Sequence, residues 1–93
     1  MKLEDISYFK ADDRYVALYT KDEKYLIEEP LSQLEQKLPE YFLRVHKGVI
    51  INTEFVKNVQ KYFNSRFIIT LKDSTAITTG RSYNDAVKRW MNL

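Results

Sequence analysis

The chain has 93 residues, no cysteine, two glycines, two prolines and a net charge of +2. That length holds one domain with one modest core, and the missing cysteines exclude disulfides, thiolate nucleophiles and cysteine-based zinc sites. No apolar run reaches the roughly 18 residues of a membrane helix, and the opening MKLEDISYFK, acidic by its fourth residue, has no apolar stretch of a signal peptide, so a cytoplasmic domain with no membrane contact is expected.

The dominant period along the chain is two, the signature of strands. Ile6–Phe9 is a predicted strand. In Tyr15–Thr20, Val16 and Leu18 share one face, and Tyr15, Ala17 and Tyr19 the other. The polar Lys21-Asp22-Glu23-Lys24 separates this run from Tyr25-Leu26-Ile27, so residues 15–28 read as a hairpin. Pro30 presets a helix start, and Leu31, Leu34 and Leu38 form a stripe that Pro39 ends. Val49–Ile51 is a short continuous apolar strand. Phe55–Tyr62 and Arg66–Leu71 flank Asn64-Ser65 as a second hairpin, and Lys72-Asp73-Ser74 turns the chain into Ala76–Thr78. A final helix, capped by Ser82 or Asn84, presents Ala86, Val87, Trp90 and Met91 on one face, with Lys88 and Arg89 in its last turns. The fold class is therefore mostly β with two short helices, without internal repeats.

The net charge hides an asymmetry. Residues 1–43 hold 6 Lys+Arg against 10 Asp+Glu, net −4, and residues 44–93 hold 9 against 3, net +6. A basic half suits a polyanionic partner, because each neutralised phosphate releases counterions. Enzymatic constellations are missing. One histidine, His46, stands without a cysteine or a patterned acid, and the pairs Asp12-Asp13 and Asp22-Glu23 diverge in turns rather than converge on a metal. Two separate glycines make no phosphate-cradling loop. No enzyme, metal or cofactor is expected.

Three predicted loops each carry a cation or donor beside a strand end: Asp12-Asp13-Arg14-Tyr15, Arg44-Val45-His46-Lys47-Gly48 and Thr79-Gly80-Arg81-Ser82-Tyr83. Arginine and lysine donate to guanine O6 and N7 in a major groove. Thr79, Ser82 and backbone N–H groups near the last helix suit phosphate. His46 reads as a partly buried side chain tying its loop to the backbone. Tyr8, Phe9, Tyr15, Phe63 and Tyr83 could stack on single-stranded bases, but their alternation assigns most of them to the core or a sheet face.

Phe42-Leu43-Arg44-Val45-His46-Lys47-Gly48-Val49-Ile50-Ile51-Asn52 resembles the central F-x-R-x-H motif of the LytTR domain, the DNA-binding output domain of LytR/AlgR-type bacterial response regulators. Asp5–Ala11, Tyr15–Thr20, the Leu31/Leu34/Leu38 helix and Gly80-Arg81-Ser82-Tyr83 resemble its flanking segments, so the likeness covers nearly the whole chain. The resemblance implies an elongated arrangement of small antiparallel sheets, with one short helix between them and a C-terminal helix. It implies double-stranded DNA as partner, read by three loops in successive major grooves along one face. Carried over by position, Arg14, Lys47 and Arg81 are base-contact candidates, and Arg44, Lys61 and Ser82 phosphate-contact candidates. A receiver domain in the full-length protein and a homodimer on paired sites are further implications. The family's usual strand ahead of Ile6 has no counterpart in this sequence, so residues 1–93 are expected to be a single domain, a fragment lacking that strand and the receiver. Its first strand would then be an open edge, and a protein-interaction module pairing through that edge is the alternative function.

Overall fold

Alternating apolar residues build two antiparallel sheets, and the side on which each residue falls decides what packs where. The structure, a computed structural model, describes residues 2–92. In chain order it comprises β1 (Ile6–Asp12), β2 (Tyr15–Thr20), β3 (Lys24–Ile27), α1 (Leu31–Lys37), β4 (Phe42–His46), β5 (Val49–Asn52), β6 (Val56–Lys61), β7 (Phe67–Leu71), β8 (Ala76–Thr78), a 3₁₀ turn at Arg81–Tyr83 and α2 (Asn84–Met91). The larger sheet has the order β3-β2-β1-β5-β4, and the smaller β6-β7-β8. No described helix is long and apolar enough to cross a membrane.

The larger sheet is covered on both faces. On one, Ile6, Phe9, Val16, Leu18, Phe42 and Ile50 pack against Leu31 and Leu34 of α1. On the other, Val45, Val49 and Ile51 meet Phe67, Ile69, Leu71 and Ile77 of the smaller sheet and Val87 of α2. Double coverage explains the continuous apolar run Val49–Ile51: all four residues of β5, polar Asn52 included, are buried. The two-sheet, mostly β plan agrees with the sequence. The position of α1 does not: it covers the outer face of the larger sheet, because its leucines face a core that contains no residue of the smaller sheet.

Three further expectations are corrected. β1 is not an edge: it is central, paired with β2 on one side and β5 on the other. The motif 44–48 is not a loop either: Phe42–His46 is a strand, and only Lys47-Gly48 turns the chain. Finally, neither Ser82 nor Asn84 caps α2; Tyr83 holds the cap position without a side-chain bond, and Asn84 Oδ1 is buried without a partner. Helix α1 starts and stops as read, with Pro30 at its cap (φ −69°) and the Leu38 N–H closing onto Leu34 O.

A register shift in β1 between Ile6 and Tyr8 adds one residue opposite β2. Ile6 and Phe9, three apart, therefore enter the same core. The displaced Ser7 is buried and donates its hydroxyl to Tyr19 O at 3.0 Å. Fully buried Asn52 ties this region together: its Nδ2 donates to Ile6 O at 2.9 Å, and its Oδ1 accepts from Glu54 N at 2.9 Å. Asn52→Ala leaves a buried carbonyl unpaired and is expected to destabilise the domain by about 2 kcal/mol, measured by urea unfolding; a loss below about 0.5 kcal/mol would show that water replaces both bonds.

Candidate nucleic-acid interface

Strand directions place the three cation-bearing turns at one end of the frame. β1 runs antiparallel to both β2 and β5, so the Asp13-Arg14 turn that ends β1 lies beside the Lys47-Gly48 turn that starts β5. Ala11 N donates to Gly48 O at 2.8 Å and locks the two turns together. Asp13 adopts a left-handed backbone (φ 58°), which aspartate tolerates and a two-residue turn uses. An open cleft of about 560 Å³ lies between them, with Arg14, Lys47, Arg44 and His46 among its lining residues. Glu28 and Glu29 also line it, and Glu29 is ion-paired to Lys37.

The third turn comes from the other sheet. Thr79 N donates to Phe67 O at 2.9 Å, and Gly80 N crosses to Val45 O at 2.9 Å on the outer edge of β4. Gly80 consequently lies against His46: a Cβ there would meet His46 Cδ2 and Tyr83 Cδ2 at 3.5 Å each. Arg81 follows immediately. Arg14, Lys47 and Arg81 are all exposed, and none has an ion-pair partner among the described residues.

Arg44, a phosphate-contact candidate, is held by contacts within the fold. Its Nη1 donates to Glu35 of α1 at 3.1 Å and its Nη2 to Lys47 O at 2.6 Å. The guanidinium lies 5.7 Å from the Tyr83 ring centroid, and only 15% of the side chain is accessible. It therefore joins α1, the Lys47 turn and the Arg81–Tyr83 turn. Its reach onto the first helix has no signal in the local sequence, since Glu35 lies nine residues away on another element. Thr79 is also committed: it is buried, and its Oγ1 accepts from Phe67 N at 3.0 Å. Ser82 and Lys61 are exposed.

His46 ties its turn as read, although the ring is exposed rather than partly buried: Nδ1 accepts from Gly48 N at 3.0 Å. The aromatics form no single platform. Phe9 is core, Tyr8 stacks on Tyr19 with centroids 4.3 Å apart, and Tyr83 lies under Arg44. Burial, and next the neighbouring Tyr19, push the Tyr8 hydroxyl above the usual tyrosine range, so it stays neutral. Tyr15 and Phe63 remain exposed. A second cationic group, Lys61, Arg66 and Lys88, lines a small cleft of about 180 Å³ beside the β6–β7 hairpin. Arg66 and Lys88 lie 22 positions apart in sequence, and only the fold brings them together.

Exposed, unpaired cations on three turns at one end of a β frame form a surface suited to a polyanion. The sequence profile of the LytTr DNA-binding domain matches residues 1–92, and the chain belongs to that family. It is similar to the sensory transduction protein LytT of Bacillus subtilis, with 34% identity over 97% of this chain and 38% of that protein. It is also similar to the transcriptional regulatory protein LytR of Staphylococcus aureus, with 33% identity over the whole chain and 38% of that protein. The chain thus spans little more than a third of the length of these relatives. A solved LytTr DNA-binding domain from Bacillus cereus has the same fold, with TM-score 0.94 at 18% identity, covering all of this chain and 86% of that one.

The clamp by Arg44 is testable. Arg44→Ala is expected to destabilise the domain by about 1–2 kcal/mol, seen in urea unfolding. Arg44→Lys should restore little of it, because one ammonium cannot reach Glu35 and the Lys47 carbonyl with a planar fork; full recovery by lysine would reduce Arg44 to a plain surface charge.

Proposed function

We propose that this domain binds double-stranded DNA in a sequence-specific manner through its turn-borne cations, as the output module of a cytoplasmic transcriptional response regulator. The observation that carries the reading is the convergence of the Arg14, Lys47 and Arg81 turns at one end of the frame. Family membership supports the DNA partner, and the relatives' greater length supports a receiver domain in the full-length protein. A pair of such domains on paired sites follows from the two-fold logic of regulators.

Size limits how the turns are used. The longest dimension of the chain is 33 Å, and successive major grooves on one face recur about every 34–36 Å. One copy therefore spans at most two major grooves, not three. Arg14 and Arg81, on the outer turns, take the base-reading roles, with bidentate contact to guanine O6 and N7. Lys47, on the middle turn, faces the backbone and minor groove between them, where only A·T against G·C is legible. Lys61 and Ser82 flank the Arg81 turn as phosphate contacts. Arg44 acts through Lys47 as a positioning residue.

Selection from a random duplex library should recover a short motif, in direct or inverted repeat if two copies bind. Arg81→Ala should cost about 1–3 kcal/mol and relax preference at one base pair, read by competition with single-base-pair variants of the selected site. Equal weakening on every sequence would move Arg81 to the phosphates. No salt-sensitive binding to any duplex at low ionic strength would remove the DNA reading altogether.

A further inference from the structure

The hairpin of β6 and β7 ends in two consecutive left-handed residues, Asn64 (φ 61°) and Ser65 (φ 59°), and is closed by Tyr62 N donating to Arg66 O at 2.9 Å. Its position is fixed at the base, where Phe67 and Thr79 exchange bonds of 3.0 and 2.9 Å. Thr79 is two residues before Arg81, so the hairpin tip projects from the same end of the smaller sheet as the Arg81 turn. Behind the tip, Lys61 from β6, Arg66 from the turn and Lys88 from α2 line one cleft, and no carboxylate among the described residues lines it. Arg66 Nε is buried there and has no hydrogen-bond partner among the described residues. Three cations from three elements repel one another, and a buried donor left unpaired is costly; an anion in the cleft relieves the repulsion.

The other wall identifies the anion. The Tyr62 ring lines the cleft, and Phe63 stacks on it with centroids 4.1 Å apart. Phe63 is 70% exposed, the most open large apolar side chain among the described residues. A cationic cleft beside an apolar ledge matches a sugar–phosphate backbone, which alternates charged oxygens with apolar sugar faces, better than it matches a free phosphate. Lys88 also suits the negative C-terminal end of its helix, but that role does not require convergence with Lys61 and Arg66.

We propose that the cleft of Lys61, Arg66 and Lys88 is a fourth DNA contact, a subsite that grips backbone phosphate beyond the groove read by Arg81, with the Tyr62–Phe63 tip against the adjoining sugars. It rests on the DNA-binding reading above and extends its footprint on one side.

The test is salt-dependent binding, by fluorescence anisotropy, of a long duplex carrying the selected site and of one cut back on the Arg81 side. For Lys88→Gln and Arg66→Gln, each lost phosphate contact should lower the log–log salt slope by about 0.9 and weaken binding by about 8-fold at 0.1 M salt, without changing base preference. On the shortened duplex, variants and parent should bind alike. Lys72→Gln, which removes equal charge at the opposite end of β7, should leave the slope unchanged. Circular dichroism melts confirm that the exposed Lys88 variant folds. If the parent binds duplex with a steep salt slope but both variants match it, the subsite is refuted while the DNA reading stands; if the parent binds no duplex, that reading fails first. Equal losses on both duplexes, or saturation by inorganic phosphate with no change in duplex slope, would also overturn the subsite, leaving a general charge effect or a free-anion site.

Discussion

The placement of the Arg81 turn beside the Lys47 turn depends on one cross-sheet backbone hydrogen bond, from Gly80 N to Val45 O at 2.9 Å. Apart from the short connection through residues 53–55, the two sheets among the described residues otherwise meet through side chains, Val45, Val49 and Ile51 against Phe67, Ile69, Leu71 and Ile77. Apolar packing is non-directional. It can hold two layers together and still allow a slide of an ångström or two. A backbone bond at the very end of β4, beside Gly80 and one residue from Arg81, removes that freedom where it matters. The proposed base contacts by donors on different elements need their spacing fixed to fractions of an ångström, and the bond supplies a fixed point for Arg81 relative to Lys47.

Arg44 does the same for the middle turn, by a different physical route. Its guanidinium spends two donors on groups from different elements and its face on Tyr83. A cation in a basic interface would ordinarily be repelled by its neighbours. Here Glu35 compensates it locally, so the positive potential of the edge is left to Arg14, Lys47 and Arg81. The acids of the first half thus have a structural use near the site: Glu35 restrains Arg44, and Glu29 pairs with Lys37 on the same helix.

Local pattern made the strands, both hairpins, the start and stop of α1, and the three turn cations legible, because each depends on neighbours within a few residues. What was not legible depends on distant partners. β1 reads as an edge when only its sequence neighbour β2 is in view; its second partner, β5, lies some forty residues on. β4 hides because the positions that alternate with Leu43 and Val45 carry Phe42, Arg44 and His46, so polar residues share a face with an apolar one and blur the pattern. Thr79 looks like a phosphate donor in a loop, and becomes a buried acceptor only once Phe67 is opposite. Asn84 looks like a cap, but the 3₁₀ turn at Arg81–Tyr83 leads into α2 with Tyr83 in that place. Lys61, Arg66 and Lys88 are scattered cations until the hairpin folds against α2.

Scale then decides what kind of reader this is. A recognition helix puts several consecutive base-reading side chains into one groove. Here the cations sit one per turn on a frame of 33 × 23 × 22 Å, so in the proposed binding mode each groove receives a single side chain. One bidentate arginine discriminates by about 1–3 kcal/mol, and two give far less than the specificity a regulator needs against a genome. The remainder has to come from backbone contacts that fix register along the duplex and make its shape count, and from a second copy on an adjacent site. A domain that reads in this proposed way gains more from extra phosphate grip at its flank than a helix-based reader does, and the proposed subsite beyond Arg81 is what supplies it.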